Sequence, residues 1–298
     1  MTNEYILLDR LEKIRSVIGE YGEKNFYISF SGGRDSTVLH YLIDMALPDN
    51  TIPRVFADTG IELEAIRDFV KDLAEFDDRI VMIKPSKNIR QMLEEEGYPF
   101  KSKLHSLYVD RFQRLGRTKG VVQYLGESED KKPWCSEFSC PAMLKYQFSD
   151  NFNLRLSQNC CTRLKKDPLH KWARSNKKKY AIVGVMSDEG GVRSNATCEV
   201  IKNGQLKAFQ PLAVMSKEWE EWFIDQFQIP ICYVYRNPLN FNRTGCKGCP
   251  FNKNLQQELD TLQKFFPTER KQCEIIWKPV YDEYRRIGYR LRGEENGT

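Results

Sequence analysis

The chain has 298 residues, 41% of them hydrophobic and 12% aromatic, enough for one large domain or two modest ones with a real core, so wholesale disorder is excluded. A formal charge of +5 admits an anionic ligand without demanding nucleic acid. No apolar run approaches a membrane span, and Met1-Thr2-Asn3-Glu4-Tyr5 lacks the basic-then-apolar pattern of a signal peptide, so a cytoplasmic protein with no membrane partner is expected.

Leu7, Leu8, Leu11, Ile14, Val17 and Ile18 recur at helical spacing and predict an amphipathic helix up to Glu23. An apolar strand follows, Phe26-Tyr27-Ile28-Ser29-Phe30, and runs into Ser31-Gly32-Gly33-Arg34-Asp35-Ser36. The next helix is expected from Asp35 to about Ala46, stopping before Pro48. Strand, tight turn and helix in this order aim a helix N-terminus and a row of backbone N–H groups at one spot, which favours an anion such as phosphate. Ser31 and Ser36 add hydroxyls, while Gly32 and Gly33 permit close backbone approach. The spacing is not that of the Walker loop, which places four residues between its glycines and ends in Lys-Ser or Lys-Thr.

A second strand, Pro53 to Ala57, ends in Asp58-Thr59-Gly60, and a helix through Ala65, Ile66, Phe69, Val70 and Leu73 follows. Arg79 to Ile83 reads as a third strand, and a short helix around Ile89 to Glu95 ends at Gly97. This alternation predicts a parallel sheet with helices on both faces, and ligands in such sheets sit at strand C-terminal ends. Both the Ser31–Ser36 turn and Asp58-Thr59-Gly60 fall on such ends.

From Tyr98 to about Asn159 the periodicity breaks down, and an irregular, partly mobile basic insertion is expected. Lys101, Lys103, Arg111, Arg114, Arg117 and Lys119 stand there among Tyr108, Phe112 and Tyr124, a mixture that suits either a nucleic acid or a solvated surface. Further on, the pattern predicts a helix from Cys160 to about Ser175, a buried strand from Lys179 to Val185 and a loop rich in glycine ending at Arg193. A helix capped by Ser216, a short strand from Ile231 to Tyr235, and a helical region from Pro250 to Arg292 complete the chain. The division expected is a nucleotide-binding α/β domain over 1–235, carrying the basic insertion at about 98–159, and a CxxC loop with a helical extension over 236–298.

Nine cysteines are many for a chain in a reducing compartment, which leaves metal, redox chemistry or burial. Cys160 and Cys161 are adjacent, and Cys246-Lys247-Gly248-Cys249 is a CxxC whose glycines allow a tight wrap. Four thiolates in two pairs suit zinc or an iron–sulfur cluster. Adjacent cysteines must splay to reach one small ion, whereas a cubane offers separated iron corners, so a [4Fe–4S] cluster is favoured and zinc is the alternative. Cys135 and Cys140 form a looser pair that also leaves metal ligation open; Cys198, Cys232 and Cys273 read as buried.

Taken together, these strings resemble the phosphoadenosine phosphosulfate (PAPS) reductase family of the PP-loop adenine nucleotide alpha-hydrolase superfamily. Ser31 to Ser36 resembles the PP-loop, with Arg34 where lysine is usual, and Asp58-Thr59-Gly60 resembles the family's second-strand motif. Cys160-Cys161-Thr162-Arg163-Leu164-Lys165-Lys166-Asp167-Pro168-Leu169 is similar to its Cys-Cys-x-x-x-Lys-x-x-Pro-Leu segment. Gly184 to Arg193 is similar to its substrate loop, and Cys246 to Cys249 to the closing CxxC of adenylyl-sulfate reductases with a [4Fe–4S] cluster. The resemblance implies a Rossmann-like (HUP) parallel-sheet core with a helical C-terminal extension. It also implies an adenine nucleotide lying across the strand ends, bound through Ser31, Gly32, Gly33, Asp35, Ser36, Asp58, Thr59, Gly60, Gly184 and Arg193.

One departure separates binding from chemistry. The reductases carry their attacking cysteine in a Glu-Cys-Gly-Leu-His string on a C-terminal tail, whereas here residues 287–298 read Ile-Gly-Tyr-Arg-Leu-Arg-Gly-Glu-Glu-Asn-Gly-Thr. The leading expectation is therefore cleavage of ATP between its α- and β-phosphates, with Mg²⁺, coupled to adenylation or sulfur transfer. Asp35, Arg34, Asp58 and Arg193 are the candidate catalytic residues, and Cys160, Cys161, Cys246 and Cys249 the candidate cluster ligands. One alternative is a sulfonucleotide reductase whose thiol comes from Cys273, Cys135 or a partner; a thiol reductant or sulfur-donor protein would then be required. The other is a non-catalytic nucleotide- or RNA-binding component using the stretch from Lys101 to Lys119.

Overall fold

The computed structural model describes residues 2–128, 139–187, 196–242 and 244–293. The chain groups into two compact units that interleave along the sequence: residues 1–86 with 165–245, and residues 87–164 with 246–298. The expected division placed one boundary at 235; instead the segment around 98–159 and the C-terminal region share a unit.

The first unit is a six-stranded sheet with helices. Its elements are α1 (Asn3–Tyr21), β1 (Phe26–Phe30), α2 (Arg34–Ala46), β2 (Arg54–Ala57), α3 (Glu64–Phe76) and β3 (Ile80–Ile83). In the second unit follow α4 (Ile89–Glu96), α5 (Lys103–Leu115) and α6 (Lys119–Tyr124). The chain returns to the first unit with α7 (Asp167–Ser175), β4 (Tyr180–Ile182), β5 (Glu199–Lys202), β6 (Gln205–Phe209) and α8 (Lys217–Gln226). The second unit ends with α9 (Leu255–Phe265) and α10 (Pro267–Arg286).

The strand order is β3-β2-β1-β4-β6-β5, parallel throughout except for the antiparallel β5–β6 pair. From β1 the chain moves outward to β2 and β3, then comes back to place β4 on the other flank of β1. The crevice at the C-terminal ends of β1 and β4 is thus the point where the winding reverses, the standard ligand position in open α/β sheets. Phe26, Ile28, Val55 and Ile182 are fully buried, as strands covered on both faces require.

At the opposite end of the sheet, Arg54 opens β2 fully buried, with Asp44 and Asn50 accepting from its guanidinium. Arg79 donates to Asp44 and Asp77, both at 2.7–2.9 Å. His40 lies in the same network, its pKa pushed down to about 4 by burial and then by the Arg54 charge. Two guanidiniums balance two carboxylates here, so the cluster ties α2 to β2 and β3 without an added cation.

Four sequence expectations change. Ile231 to Tyr235 is not a strand; Tyr233–Tyr235 is one 3₁₀ turn, after Pro230 has removed a ladder donor. The β5–β6 hairpin went unpredicted because β5 is an edge strand and both strands carry exposed polar residues around Asn203-Gly204. The helix expected from Cys160 is wound as a π-helix over Thr162–Lys166 before α7 begins. Within 98–159 the chain is helical over α5 and α6 rather than wholly irregular. Among the described residues no helix is long and apolar enough to cross a membrane.

Candidate functional site: a phosphate loop and a four-cysteine centre

The first unit carries the glycine turn at the reversal point. Gly32 has φ +67°, and a Cβ there would stand 2.6 Å from Val70 Cγ2 and 2.9 Å from Ile66 Cγ2 on α3. Only glycine meets both demands. Gly33, with φ −76° and ψ 163°, occupies the N-cap of α2, and its carbonyl accepts from Ser36 Oγ (2.9 Å) and Thr37 Oγ1 (3.0 Å). Ser31 and Ser36 place their hydroxyls 2.9 Å apart, so the two serines bracket the turn.

A second hydroxyl pair was not foreseen. Tyr235 Oη sits 3.3 Å from where a Gly33 Cβ would be, pairs with Thr244 Oγ1 and accepts from the Arg34 N–H. Burial raises the Tyr235 pKa to about 12, so it stays neutral. The N–H groups of Gly33 and Arg34 therefore meet hydroxyl oxygens where a phosphate oxygen would otherwise sit. No motif flags a tyrosine 200 residues from the loop; only the tertiary structure brings it in.

Gly184, just past β4, lies against the start of α2: an added Cβ would be 3.0 Å from the Asp35 carbonyl oxygen and 3.2 Å from the Ser36 nitrogen. The structure thus brings Gly184 together with Ser31 to Ser36. Arg193, the other residue expected from that loop, lies in 188–195, outside the described residues. Arg34, expected as a cation on the phosphates, is instead engaged by α8, with Nε 2.8 Å from Glu220 Oε2 and Nη1 3.7 Å from Glu221. Glu220 is 1% exposed; burial and then the Asp35 charge raise its pKa, against the opposing pull of Arg34.

At the end of β2, Asp58 is buried and held by a two-pronged ion pair with Arg67, at 2.8 and 2.9 Å, while Gly60 N–H donates to it at 3.1 Å. Burial would lift its pKa, but the Arg67 guanidinium outweighs that and holds the carboxyl below the usual range. Both oxygens of Asp58 are thus committed to orienting the strand end, not presented for a metal. Thr59 donates to Glu62, and Lys165 Nζ lies 3.0 Å from Glu62 Oε1. Lys165 is the lysine of the Cys-Cys-x-x-x-Lys string; Glu62 and Arg67 carried no motif.

The second unit holds all four cysteines of the two pairs. The Cys160 thiol is 6% exposed and hydrogen-bonds Cys161, and this contact, then burial, then Cys161, Cys249 and Cys246 all push its pKa upward. Burial raises Cys249 as well, followed by Cys246. The four sulfurs are thus close enough to oppose one another's ionisation, which is the environment a thiolate-binding metal centre relieves. Among the described residues only His40, Asp44 and Asp77 bring three ligand atoms within 4.8 Å of one another. No three of the four cysteine sulfurs lie within 4.8 Å of one another, although Cys160 and Cys161 are in hydrogen-bond contact.

Their supports are explicit. Glu96 accepts from Asn159 Nδ2 and Arg163 Nε, both at 2.8 Å, and so brackets the adjacent pair. The CxxC turn lies on one face of α10, where Glu269, Cys273, Trp277 and Tyr281 follow at intervals of four and are all buried. Lys247 Nζ meets Glu269 at 3.1 Å, Trp277 Nε1 donates to the Lys247 carbonyl at 3.0 Å, and Tyr281 donates to the Gly248 carbonyl. Gly248, φ +61°, leaves 2.8 Å between a would-be Cβ and Cys273 Sγ. Cys273 is 0% exposed, and burial pushes its thiol up to about 12. It is a packing residue beneath the turn and no available nucleophile. Cys140 is buried and raised to about 11, and Cys135 lies outside the described residues. Cys232 is buried but in a loop, and Cys198 is half-buried.

The chain is similar to several known proteins. An uncharacterized protein of Methanocaldococcus jannaschii is 34% identical over 143 residues, a match covering 41% of this chain and 34% of that protein. The chain thus spans about a third of the length of that curated relative. Among solved structures, phosphoadenylyl-sulfate reductase from Candida auris, in a phosphate complex, is similar with a TM-score of 0.44 at 14% identity, over 76% of this chain and 82% of that one. The U34-tRNA thiolase of Methanococcus maripaludis, with its [4Fe-4S] cluster, has a TM-score of 0.39 at 14% identity, over 99% and 83%. The model of the phosphoadenosine phosphosulfate reductase domain matches residues 25–135, beginning one residue before β1. Over that span the chain is similar to the phosphoadenosine phosphosulfate reductase domain.

Proposed function

We propose that this protein is a PP-loop enzyme that binds ATP in the first unit, cleaves it between the α- and β-phosphates, and uses the activated adenylate for adenylation or sulfur transfer. The observation that carries the reading is the convergence of the Ser31–Ser36 turn and Gly184 at the reversal point of the sheet, with backbone N–H groups already met by hydroxyl oxygens. A pyrophosphate would replace or join those oxygens. Ser31, Ser36 and the α2 N-terminus bind and orient it, while the α2 dipole opposes the charge that builds on the leaving group. Mg²⁺ bound with ATP supplies further charge compensation, and Asp35 is the nearest carboxylate of the loop.

Cys160, Cys161, Cys246 and Cys249 would hold a [4Fe–4S] cluster; an all-thiol donor set in two pairs, one of them adjacent, supports it. When bound, it supplies a sulfur-carrying or electrostatic centre. Burial of Cys273 and Cys140 argues against either as the thiol of a sulfonucleotide reductase. The deciding experiment compares two products from anaerobically purified protein. Pyrophosphate from Mg-ATP, reduced at least tenfold in Ser36→Ala, supports the proposal; sulfite from PAPS or adenylyl sulfate with thioredoxin, and no pyrophosphate, overturns it.

A further inference from the structure

The second unit contains a cavity of about 580 Å³ that the proposed chemistry does not use. That size suits a small ligand. Four cations line it, Lys101, Lys103, Lys253 and Arg290, with the half-buried rings of Phe251 and Tyr289 and no carboxylate. None of the four cations forms an ion pair among the described residues. Cations held together without counter-charge favour an anion, and burial followed by the Arg290 and Lys253 charges accordingly lowers the Lys101 pKa.

The cavity is built rather than incidental. Lys101 (φ 56°) and Arg290 (φ 60°) are two of the six non-glycine residues with positive φ among the described residues. Both are tied to the Pro250 carbonyl, Arg290 directly and Lys101 through Tyr284: Arg290 Nη1 donates to that oxygen at 2.6 Å, Tyr284 Oη donates to it at 2.9 Å, and Lys101 N–H donates to Tyr284 Oη at 2.7 Å. Ser102, which caps α5 by accepting from His105 N–H at 3.1 Å, also lines the wall, so the positive end of a 13-residue helix opens there. Pro250 and Phe251 follow Cys249 directly, which sets the cavity beside the four-cysteine centre.

We propose that this cavity is a binding site for a nucleotide unit, its phosphate on Lys101, Lys103, Lys253 and Arg290 and its base against Phe251 and Tyr289. Cations interleaved with aromatic rings match a phosphate joined to a flat base better than a carboxylate peptide, which offers no ring to stack. The unit can come from a single-stranded nucleic acid or from a free mononucleotide. The site is independent of the ATP loop, and uridine ligands keep the two apart because they carry no adenine.

The test uses the full chain and a fluorescent 12-residue oligouridylate, followed by anisotropy between 50 and 200 mM salt, with UMP, inorganic phosphate and polyglutamate as competitors. Lys103→Ala/Lys253→Ala should weaken binding at least tenfold and flatten the log–log salt slope by about 1.4, about 0.7 for each single-strand phosphate contact removed. Lys271→Ala, on the exposed side of α10, should bind as the unaltered chain does. Displacement by UMP at matched nucleotide concentration identifies a free nucleotide; displacement by oligomer alone identifies a strand. The proposal is overturned if the chain fails to bind oligouridylate at 50 mM salt, if the double variant binds unchanged, or if polyglutamate competes as well as oligouridylate.

Discussion

Replacing Gly32 with alanine separates the geometry of the phosphate loop from its role in binding. At φ +67° an alanine costs about 1–2 kcal/mol in backbone strain. Its methyl would also press on Val70 and Ile66 of α3, where 2.6 and 2.9 Å are available, and such overpacking costs about 1–3 kcal/mol. Gly32→Ala should therefore lose about 2–5 kcal/mol of unfolding free energy. The two parts respond differently to a second change. Val70→Ala opens space for the new methyl, so Gly32→Ala/Val70→Ala should be more stable than additivity predicts by about 1–3 kcal/mol. Backbone strain is untouched by that space, and the row of N–H groups stays displaced. Urea unfolding of the four proteins gives the coupling, and calorimetric titration with Mg-ATP gives affinity. The expected pattern is partial recovery of stability with no recovery of ATP binding. A coupling below about 0.5 kcal/mol would show that Gly32 is not pressed against α3, and unimpaired ATP affinity in Gly32→Ala would refute the loop as the nucleotide site.

Gly184→Ala sets a methyl 3.0 Å from the Asp35 carbonyl, a backbone atom that cannot swing aside, so the KM for ATP should rise about tenfold, the effect of ~1.4 kcal/mol; an unchanged KM removes Gly184 from the site. Cys160→Ser should abolish bound iron and sulfide in protein prepared without oxygen, whereas Cys273→Ala should retain them and lose about 1–3 kcal/mol of stability to a cavity beneath Gly248. Loss of iron in Cys273→Ala alone would make it a ligand. Glu220, raised to about 8, keeps a proton in the folded state that the unfolded chain releases near 4.5. Its contribution to stability is therefore full below about pH 4.5 and lost as pH rises through about 8. Glu220→Gln should flatten the fall of the urea midpoint across that window; a parallel fall in both proteins would place the titration elsewhere.

Much of the first unit is readable from local pattern. Phe26 to Phe30 and Arg54 to Ala57 are covered on both faces and register as plain apolar runs, and Gly32-Gly33 after a strand has few structural uses. The motif residues of the loop and of Gly184 meet because parallel winding puts their strands side by side, a consequence of topology that the strand pattern already contains. Charge partners were not readable. Arg34 looks like a phosphate ligand in one dimension, yet Glu220 reaches it from α8, 186 residues away. Likewise Asp58 looks like a metal ligand until Arg67, two and a half helical turns on, takes both its oxygens. A pattern reports which residues could act; only packing decides which side chains are already engaged.

The cysteines show the same principle in reverse. Cys273 was a candidate nucleophile because it is the last thiol in the chain, although its helix-like surroundings already read as buried. Its neighbours at intervals of four, Glu269, Trp277 and Tyr281, form one helical face on which each residue holds a different atom of the Cys246–Cys249 turn. Between them, a residue larger than cysteine would collide with Gly248, and a glycine there would leave a void. Cys273 is thus explained by volume, and the same face explains why Gly248 follows Lys247: the lysine must plunge to Glu269 while the next residue turns at positive φ. The chemistry proposed for the thiols then rests on the two pairs alone, whose mutual proximity and burial disfavour the ionisation that a bound cluster would favour.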